Sequence, residues 1–285
     1  MRIVVVGAGG QLGAAVAGEL AAAHDVTRLA RAALDITDDA AVGRTLEALR
    51  PDAIVNCAAY NDVDGAEDHP IDALNVNAFA VRALARAAAA LGAALVHYGT
   101  DFIFDGAASS PYTEDDRPNP RSVYGASKLV GEWFAADAPR PYVLRVESLF
   151  GRAPDGPAPK GSLAKIVDAL RARTEARVFE DRTITPTYIP DAARATRTLL
   201  ETQAAPGTYH CVNSDECTWL ELAEECARRL GVEPRLIPVR IADVKLRAQR
   251  PKYCALSNEK LKRAGVPMPT WRDAVARYLA AGSVS

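Results

Sequence analysis

RIVVVGAGGQLG, residues 2–13, carries an apolar, β-branched run into a cluster of glycines and then into the Ala-rich AAVAGELAAA. A short continuous apolar run of this kind reads as a strand buried on both faces, and the Ala/Leu pattern after it as a helix. A glycine-rich turn between the two lets backbone approach a pyrophosphate and points a helix N-terminus at it. Glycines alone can mark a plain tight turn. Their position between the first strand and the first helix favours nucleotide binding. The spacing is Gly7, Gly10, Gly13, a G-x-x-G-x-x-G, with Gln11 and Leu12 opening the helix.

Outward from this unit the pattern repeats. Strand-like runs at 2–7, 24–30, 52–58, 93–99 and 141–146 alternate with helical stretches near 11–23, 38–49, 70–91 and 122–137. Val/Ile runs separated by helices predict an α/β fold with a doubly wound, Rossmann-type parallel sheet. After Phe150 the character changes. GRAPDGPAPKG (151–161) reads as a loop at a boundary. A helix at 162–173, a short strand near 177–180, a helix at about 191–202 and later helices near 258–264 and 271–281 follow. Thr218-x-x-Glu221 is a capping box that starts a helix over 219–230. The expected division is 1–150, with about 177–212 packing back on it, as the dinucleotide-binding domain. Residues 151–176 and 213–285 would form a smaller C-terminal α/β lobe.

Composition narrows the function. A net charge of −2 gives no electrostatic footprint for nucleic acid or an anionic membrane surface. The five cysteines form no C-x-x-C and read as reduced thiols, which fits a cytoplasmic enzyme with no leader segment. No apolar stretch reaches membrane-spanning length. The four histidines are scattered, and no metal site is expected.

Three further places carry chemistry. At the end of the second strand an acid would hold the ribose diol of NAD. Here Leu29-Ala30-Arg31 stands instead, with Arg28 nearby, which suits a 2′-phosphate. The alternative is that both arginines are solvated helix-edge charges. Asp35-Ile36 is placed to close over an adenine. Thr100 follows the fourth strand at its carboxyl end, where ligands bind in such sheets. Tyr124 and Lys128 stand four apart in SVYGASKLVGE (122–132), on one face of the predicted helix. A nearby ammonium is expected to lower the phenol's pKa and make it a usable proton donor. A hydroxyl, a phenol and a lysine together complete a carbonyl-reduction site.

The chain resembles the extended short-chain dehydrogenase/reductases, and within them the dTDP-4-dehydrorhamnose reductases and related sugar-nucleotide reductases. The resemblance rests on GAGGQLG, LDITD, PDAIVNCAAYNDVDGAE, LNVNA, GTDFIFDG, PYTEDDRPNPRSVYGASKLVGE, RPKYCALSNEKL and PTWRDAVARYL, and spans nearly the whole length. It implies Thr100, Tyr124 and Lys128 as the catalytic set. It implies NADP at Gly7, Gly10, Gln11, Leu12, Gly13, Arg28, Arg31, Asp35, Ile36, Ala58, Ala59, Tyr60 and Asn75, with Tyr124 and Lys128 also touching the cofactor. NAD is the alternative cofactor. The smaller lobe would bind a nucleoside-diphosphate sugar, with Thr100, Asp101, Phe102, Glu147 and Arg250 at the substrate and the Arg250 guanidinium on the diphosphate. The expected activity is reduction of a 4-keto group. An NAD-dependent epimerase and a non-catalytic NADP-binding subunit are the alternatives, and a homodimer is allowed but not required. One departure stands out: RVESLFG (145–151) replaces the commoner RTSWVYG, setting Glu147 and Ser148 where an aromatic is usual. The acidic run Asp62, Asp64, Glu67, Asp68 reads as a solvated loop rather than as metal ligands.

Overall fold

The computed structural model describes residues 1–153 and 156–281; positions 154–155 of the Pro/Gly-rich loop lie outside the described residues. The chain begins with β1 (Arg2–Val6), α1 (Gln11–Ala21), β2 (Asp25–Leu29), α2 (Asp39–Leu49) and β3 (Ala53–Asn56). Two short helices, α3 (Gly65–Asp68) and α4 (Pro70–Leu74), lead through a π turn at Asn75–Phe79 into α5 (Ala80–Leu91). Then come β4 (Ala94–Thr100), α6 (Val123–Ala135) and β5 (Arg140–Val146). Next are α7 (Ser162–Ala172), β6 (Glu175–Phe179), β7 (Thr183–Ile184), α8 (Ile189–Glu201) and β8 (Gly207–His210). The remainder is β9 (Cys217–Thr218), α9 (Trp219–Leu230), β10 (Arg235–Val239), α10 (Glu259–Arg263) and α11 (Trp271–Ala281).

The main sheet has six parallel strands in the order β2-β1-β3-β4-β5-β8. Its central strands carry near-continuous Val, Ile and Leu because both faces are covered. Val5, Val55, Val96 and Leu144 pack under α1 and α8, while Val4, Ile54, Leu95 and Val143 pack under α2, α5 and α6. The chain leaves β1 for β2 on one side and returns to β3 on the other. That reversal opens a crevice at the strands' carboxyl ends, where such sheets bind ligands.

The smaller lobe has its own core, in which Leu170, Leu222 and Trp271 of α7, α9 and α11 meet Phe150. The Thr218 capping box at the start of α9 is formed in both directions. One boundary differs from expectation. Of the span 177–212, only α8 and β8 join the main sheet. β6 instead pairs in parallel with β10, and β7 pairs with β9. The strand signal at 177–180 was local, whereas its partner lies some sixty residues on. Buried Asp191 clamps the two parts: it accepts a bidentate pair from Arg277 of α11 at 2.6 and 2.7 Å and an amide hydrogen from Asn213 at 2.8 Å. Among the described residues no helix is long and apolar enough to cross a membrane.

Candidate active site

The glycine turn is built for close approach. Gly7 has φ +75°, and a Cβ there would lie 2.5 Å from the Ala58 nitrogen; one on Gly13 would lie 2.3 Å from the Gly7 carbonyl oxygen. Gly10 caps α1 with no side-chain acceptor, so the first-turn N–H groups of the helix face the crevice without one. Such an end suits a phosphate. Two adjoining cavities meet at this turn. One, of about 270 Å³, is lined by Gly7, Arg31, Asp35, Ile36, Ala58, Ala59 and Tyr60 among others. The second, of about 290 Å³, is lined by Gln11, Leu12 and Gly13 at one end and by Thr100, Asp101, Phe102, Tyr124 and Lys128 at the other. Gly10, Cys57, Ala58 and Ala59 line both, so the two form one elongated trough. An uncapped helix end between an adenosine-sized and a nicotinamide-sized space fits a dinucleotide.

Two expected cofactor residues fall outside this trough. Arg28 sits exposed on β2, and Asn75 lines neither cavity. The π turn rotates Asn77 inward instead. Its Oδ1 accepts from the Tyr60 backbone at 2.8 Å, and its amide donates to the Tyr60 carbonyl and the Ser127 hydroxyl. Asn77 thus fixes the Ala58–Tyr60 wall against α6. The LNVNA motif holds both asparagines, and only the turn geometry tells them apart.

At the reacting end, α6 starts at Ser122, whose hydroxyl accepts from the Gly125 N–H at 3.1 Å, while the Glu67 carboxylate accepts from Val123 N–H at 2.8 Å. These caps set Tyr124 and Lys128 on the face turned to Thr100, and all three side chains are buried. The Tyr124 phenol is hydrogen-bonded with the Thr100 hydroxyl. Lys128 Nζ donates to the Tyr98 carbonyl, and burial lowers its pKa to about 8, opposed by Glu132. The expected lowering of the Tyr124 pKa is overturned. Burial pushes the phenol well up, and the charge of Asp101 adds to it. Desolvation outweighs the lysine, whose ammonium is directed at a carbonyl. For a proton donor this is no loss, since the phenol stays protonated at neutral pH.

Below Thr100 lies a buried cluster that the motifs did not reveal. The Thr100 hydroxyl donates to Asp101 Oδ1 at 3.0 Å. Asp101, Glu147 and Cys254 bring a carboxylate or thiol atom within 4.8 Å of one another, and Arg182 Nη2 lies 3.8 Å from Asp101 Oδ2. Glu147 was expected beside the substrate. The structure instead buries it at 1% exposure, off the cavity, with Oε2 accepting from the Thr185 N–H at 2.7 Å and hydroxyl at 2.8 Å. Strand alternation accounts for this: β5 ends at Val146, and Ser148, at φ +44°, takes the place at the cavity wall.

Arg250 also departs from expectation. It pairs with Asp64 at 2.9 Å and stands 5.6 Å over the Phe102 ring, lining a neighbouring hollow rather than the trough. The acidic run is not a freely solvated loop either. Asp64 also accepts from the Ala248 N–H at 2.9 Å, and Asp68 pairs with Arg247. These acids seat the 247–250 segment of the smaller lobe on the larger one. In the smaller lobe a further cavity of about 320 Å³ is lined by Lys165, Arg177, Phe179, Arg182 and Trp219.

The family model described as the RmlD substrate binding domain matches residues 1–284. The chain belongs to this family. Within the RmlD family, a dTDP-4-dehydrorhamnose reductase from Burkholderia thailandensis is 35% identical over 292 residues, covering 96% of this chain and 97% of its own. A crystal structure of a dTDP-4-dehydrorhamnose reductase from Clostridium acetobutylicum matches with a TM-score of 0.93 at 32% identity, covering 100% of both chains. That of the Bacillus anthracis enzyme, in complex with NADP, matches with a TM-score of 0.91 at 31% identity and 98% coverage of each chain. The RmlD assignment agrees with the doubly wound fold and with the trough at its switch point.

Proposed function

We propose that this RmlD-family chain is an NADPH-dependent oxidoreductase that reduces the 4-keto group of a dTDP-linked deoxysugar. The observation that carries the reading is the convergence of Thr100, Tyr124 and Lys128 at one end of a trough whose other end is an uncapped, glycine-bounded helix N-terminus. NADPH, when bound, supplies hydride. Tyr124 gives its phenolic proton to the oxygen that becomes the alcohol. Thr100 donates a hydrogen bond to the same oxygen, where charge develops. Lys128 keeps a positive charge under the site below about pH 8 and orients the cofactor's ribose through its remaining hydrogens.

The nucleotide end of the substrate is assigned to the smaller lobe. Its cavity combines an aromatic wall, Phe179 and Trp219, with Lys165, Arg177 and Arg182, the mixture that a base and a diphosphate call for. A 2′-phosphate is assigned to Arg31, which lines the adenosine-sized cavity and lies 3.9 Å from Asp35. Five unpaired cysteines suit a cytoplasmic setting. The test is NADPH oxidation on addition of dTDP-4-dehydrorhamnose, followed at the nicotinamide absorbance. Stoichiometric oxidation with one sugar alcohol formed supports the reading. No oxidation at saturating NADPH removes it.

A further inference from the structure

The buried cluster beneath Thr100 has an unusual composition. Two carboxylates, Asp101 and Glu147, face one guanidinium, Arg182, at 3% and 1% exposure for the two acids. Each acid has one oxygen satisfied: Asp101 Oδ1 accepts from Thr100, and Glu147 Oε2 accepts twice from Thr185. The other oxygens, Asp101 Oδ2 and Glu147 Oε1, are buried and have no hydrogen-bond partner. Two ionised carboxylates that close in a dry site repel, and one proton held by the pair removes that repulsion. Arg182 cannot satisfy both: it lies 3.8 Å from Asp101 Oδ2, points Nη2 at Cys254 Sγ at 3.6 Å, and leaves its own Nε unpartnered.

The consequence for the reacting end follows from the single hydrogen of Thr100. With Asp101 ionised, that hydrogen is committed to Asp101 Oδ1 and points away from the trough. With a proton on Asp101 Oδ1, the carboxyl donates to the Thr100 oxygen, and the threonine hydrogen turns to the substrate's carbonyl oxygen. We propose that Asp101 and Glu147 form a buried acid pair holding one proton, and that this shared proton sets which way the Thr100 hydroxyl donates. Glu147 is then a positioning residue for reduction, acting through Asp101 and Thr100. This inference rests on the reductase reading given above, but the pair itself does not depend on it.

Charges around the pair agree. Burial pushes the Glu147 carboxyl up to about 8, with Asp101 adding to the rise and Thr185 and Arg182 opposing it. Asp101 is raised as well, by burial first, with Arg182 and Thr100 opposing. The titratable groups facing the pair are Arg182, Cys254, Tyr124, Cys217 and Tyr253, from four different segments. The thiols of Cys217 and Cys254 are pushed up by burial and stay neutral, so Arg182 is the cation that faces the acids here.

Two measurements on the NADP-loaded full chain test the proposal. Infrared difference spectroscopy, in water and deuterium oxide, reads protonated carboxyl groups directly and needs no turnover. A buried carboxyl band is expected at pH 7 that titrates away near pH 8. It should vanish in Glu147→Gln, and in Asp101→Asn its midpoint should fall, because the like charge is gone. An absent band at pH 7, or a midpoint unmoved by Asp101→Asn, overturns the pair. The second measurement is the pH profile of kcat with dTDP-4-dehydrorhamnose. In Glu147→Gln the glutamine oxygen can still accept from Thr185, but Asp101 ionises unshared and holds the Thr100 hydrogen at all pH values. Losing one donor to the developing oxyanion costs about 10²–10³ in kcat, so a fall on that scale is expected with KM for NADPH unchanged. Titration of Lys128 is common to both proteins, so the difference between the two profiles isolates the pair. An equal kcat, or a loss that leaves the shape of the profile unchanged, overturns the positioning role. Failure of the wild type to turn over this sugar counts against the reductase reading alone, and the infrared titration still decides the pair.

Discussion

Two buried ionic clusters lie behind the reacting end, and they are built differently. Behind α6, Arg145 meets Glu132 with three contacts of 3.0–3.3 Å and also donates to His210 at 3.3 Å. Burial holds His210 neutral, with its pKa near 3, so Arg145 faces one anion and a neutral acceptor, and the Lys128 ammonium also acts on that anion. Beneath Thr100, one cation faces two acids, the nearest contact is 3.8 Å, and three polar atoms are orphaned. The first cluster gives its acid a close, well-aligned cation. The second is mismatched in charge and geometry, and its Asp101 accepts from the Thr100 hydroxyl at the reacting end. A fold can bury a complete ion pair as a strut. An incomplete one persists where the imbalance is used.

The comparison is most easily broken at the site both clusters support. Tyr124→Phe should lower kcat by about 10²–10⁴, the range for removing a general acid. NADPH affinity, read by titration, should stay the same. A phenylalanine variant with full kcat would separate the chemistry from both clusters.

Next in size is the Arg145–Glu132 cluster. Glu132→Ala leaves Arg145 buried without its anion, a change that costs about 3–5 kcal/mol. Denaturant unfolding should show this as a lower midpoint at unchanged slope. The mismatched cluster should behave in the opposite sense. The folded carboxyl of Glu147 titrates near 8 against an ordinary 4.5, so the folded state binds the extra proton between these values and stability falls as pH rises through that window. Glu147→Gln removes the titration. Measured at pH 8, the variant should unfold at higher denaturant than wild type, while near pH 4 the two should coincide. A Glu147→Gln protein that loses stability equally at both pH values would make the clusters alike.

At the exposed rim the effects shrink. Arg31→Ala should narrow the preference for NADPH over NADH by about 1.5–3 kcal/mol, the worth of a hydrogen bond to a charged group. The ratio of kcat/KM for the two cofactors reads it. Arg250→Ala breaks a pair whose Asp64 partner is 43% exposed, and should change stability by about 1 kcal/mol or less.

The same contrast explains what could be read from the sequence. The trough is built from short contiguous units: a strand-turn-helix at 2–13, a strand end at Thr100, and a helix face at 124 and 128. Each unit carries its own signature, so the parallel sheet, the glycine turn and the convergence of Thr100, Tyr124 and Lys128 were legible. The mismatched cluster takes Asp101, Glu147, Arg182 and Cys254 from four segments that no period or spacing connects. Glu147 drew notice only as an odd residue in RVESLFG, and its burial depends on how β5 ends. The β6–β10 pairing and the Arg250–Asp64 contact were hidden for the same reason. Asn75 and Asn77 were indistinguishable until the π turn chose between them.

The central claim, that the trough transfers hydride to a sugar ketone, is tested most directly with NADPH carrying deuterium at the transferred C4 position. Incubated with dTDP-4-dehydrorhamnose, the enzyme should place one deuterium on C4 of the sugar for each NADPH oxidised, read by mass and proton NMR of the product. Sugar recovered without deuterium, or epimerised with no NADPH consumed, would contradict it.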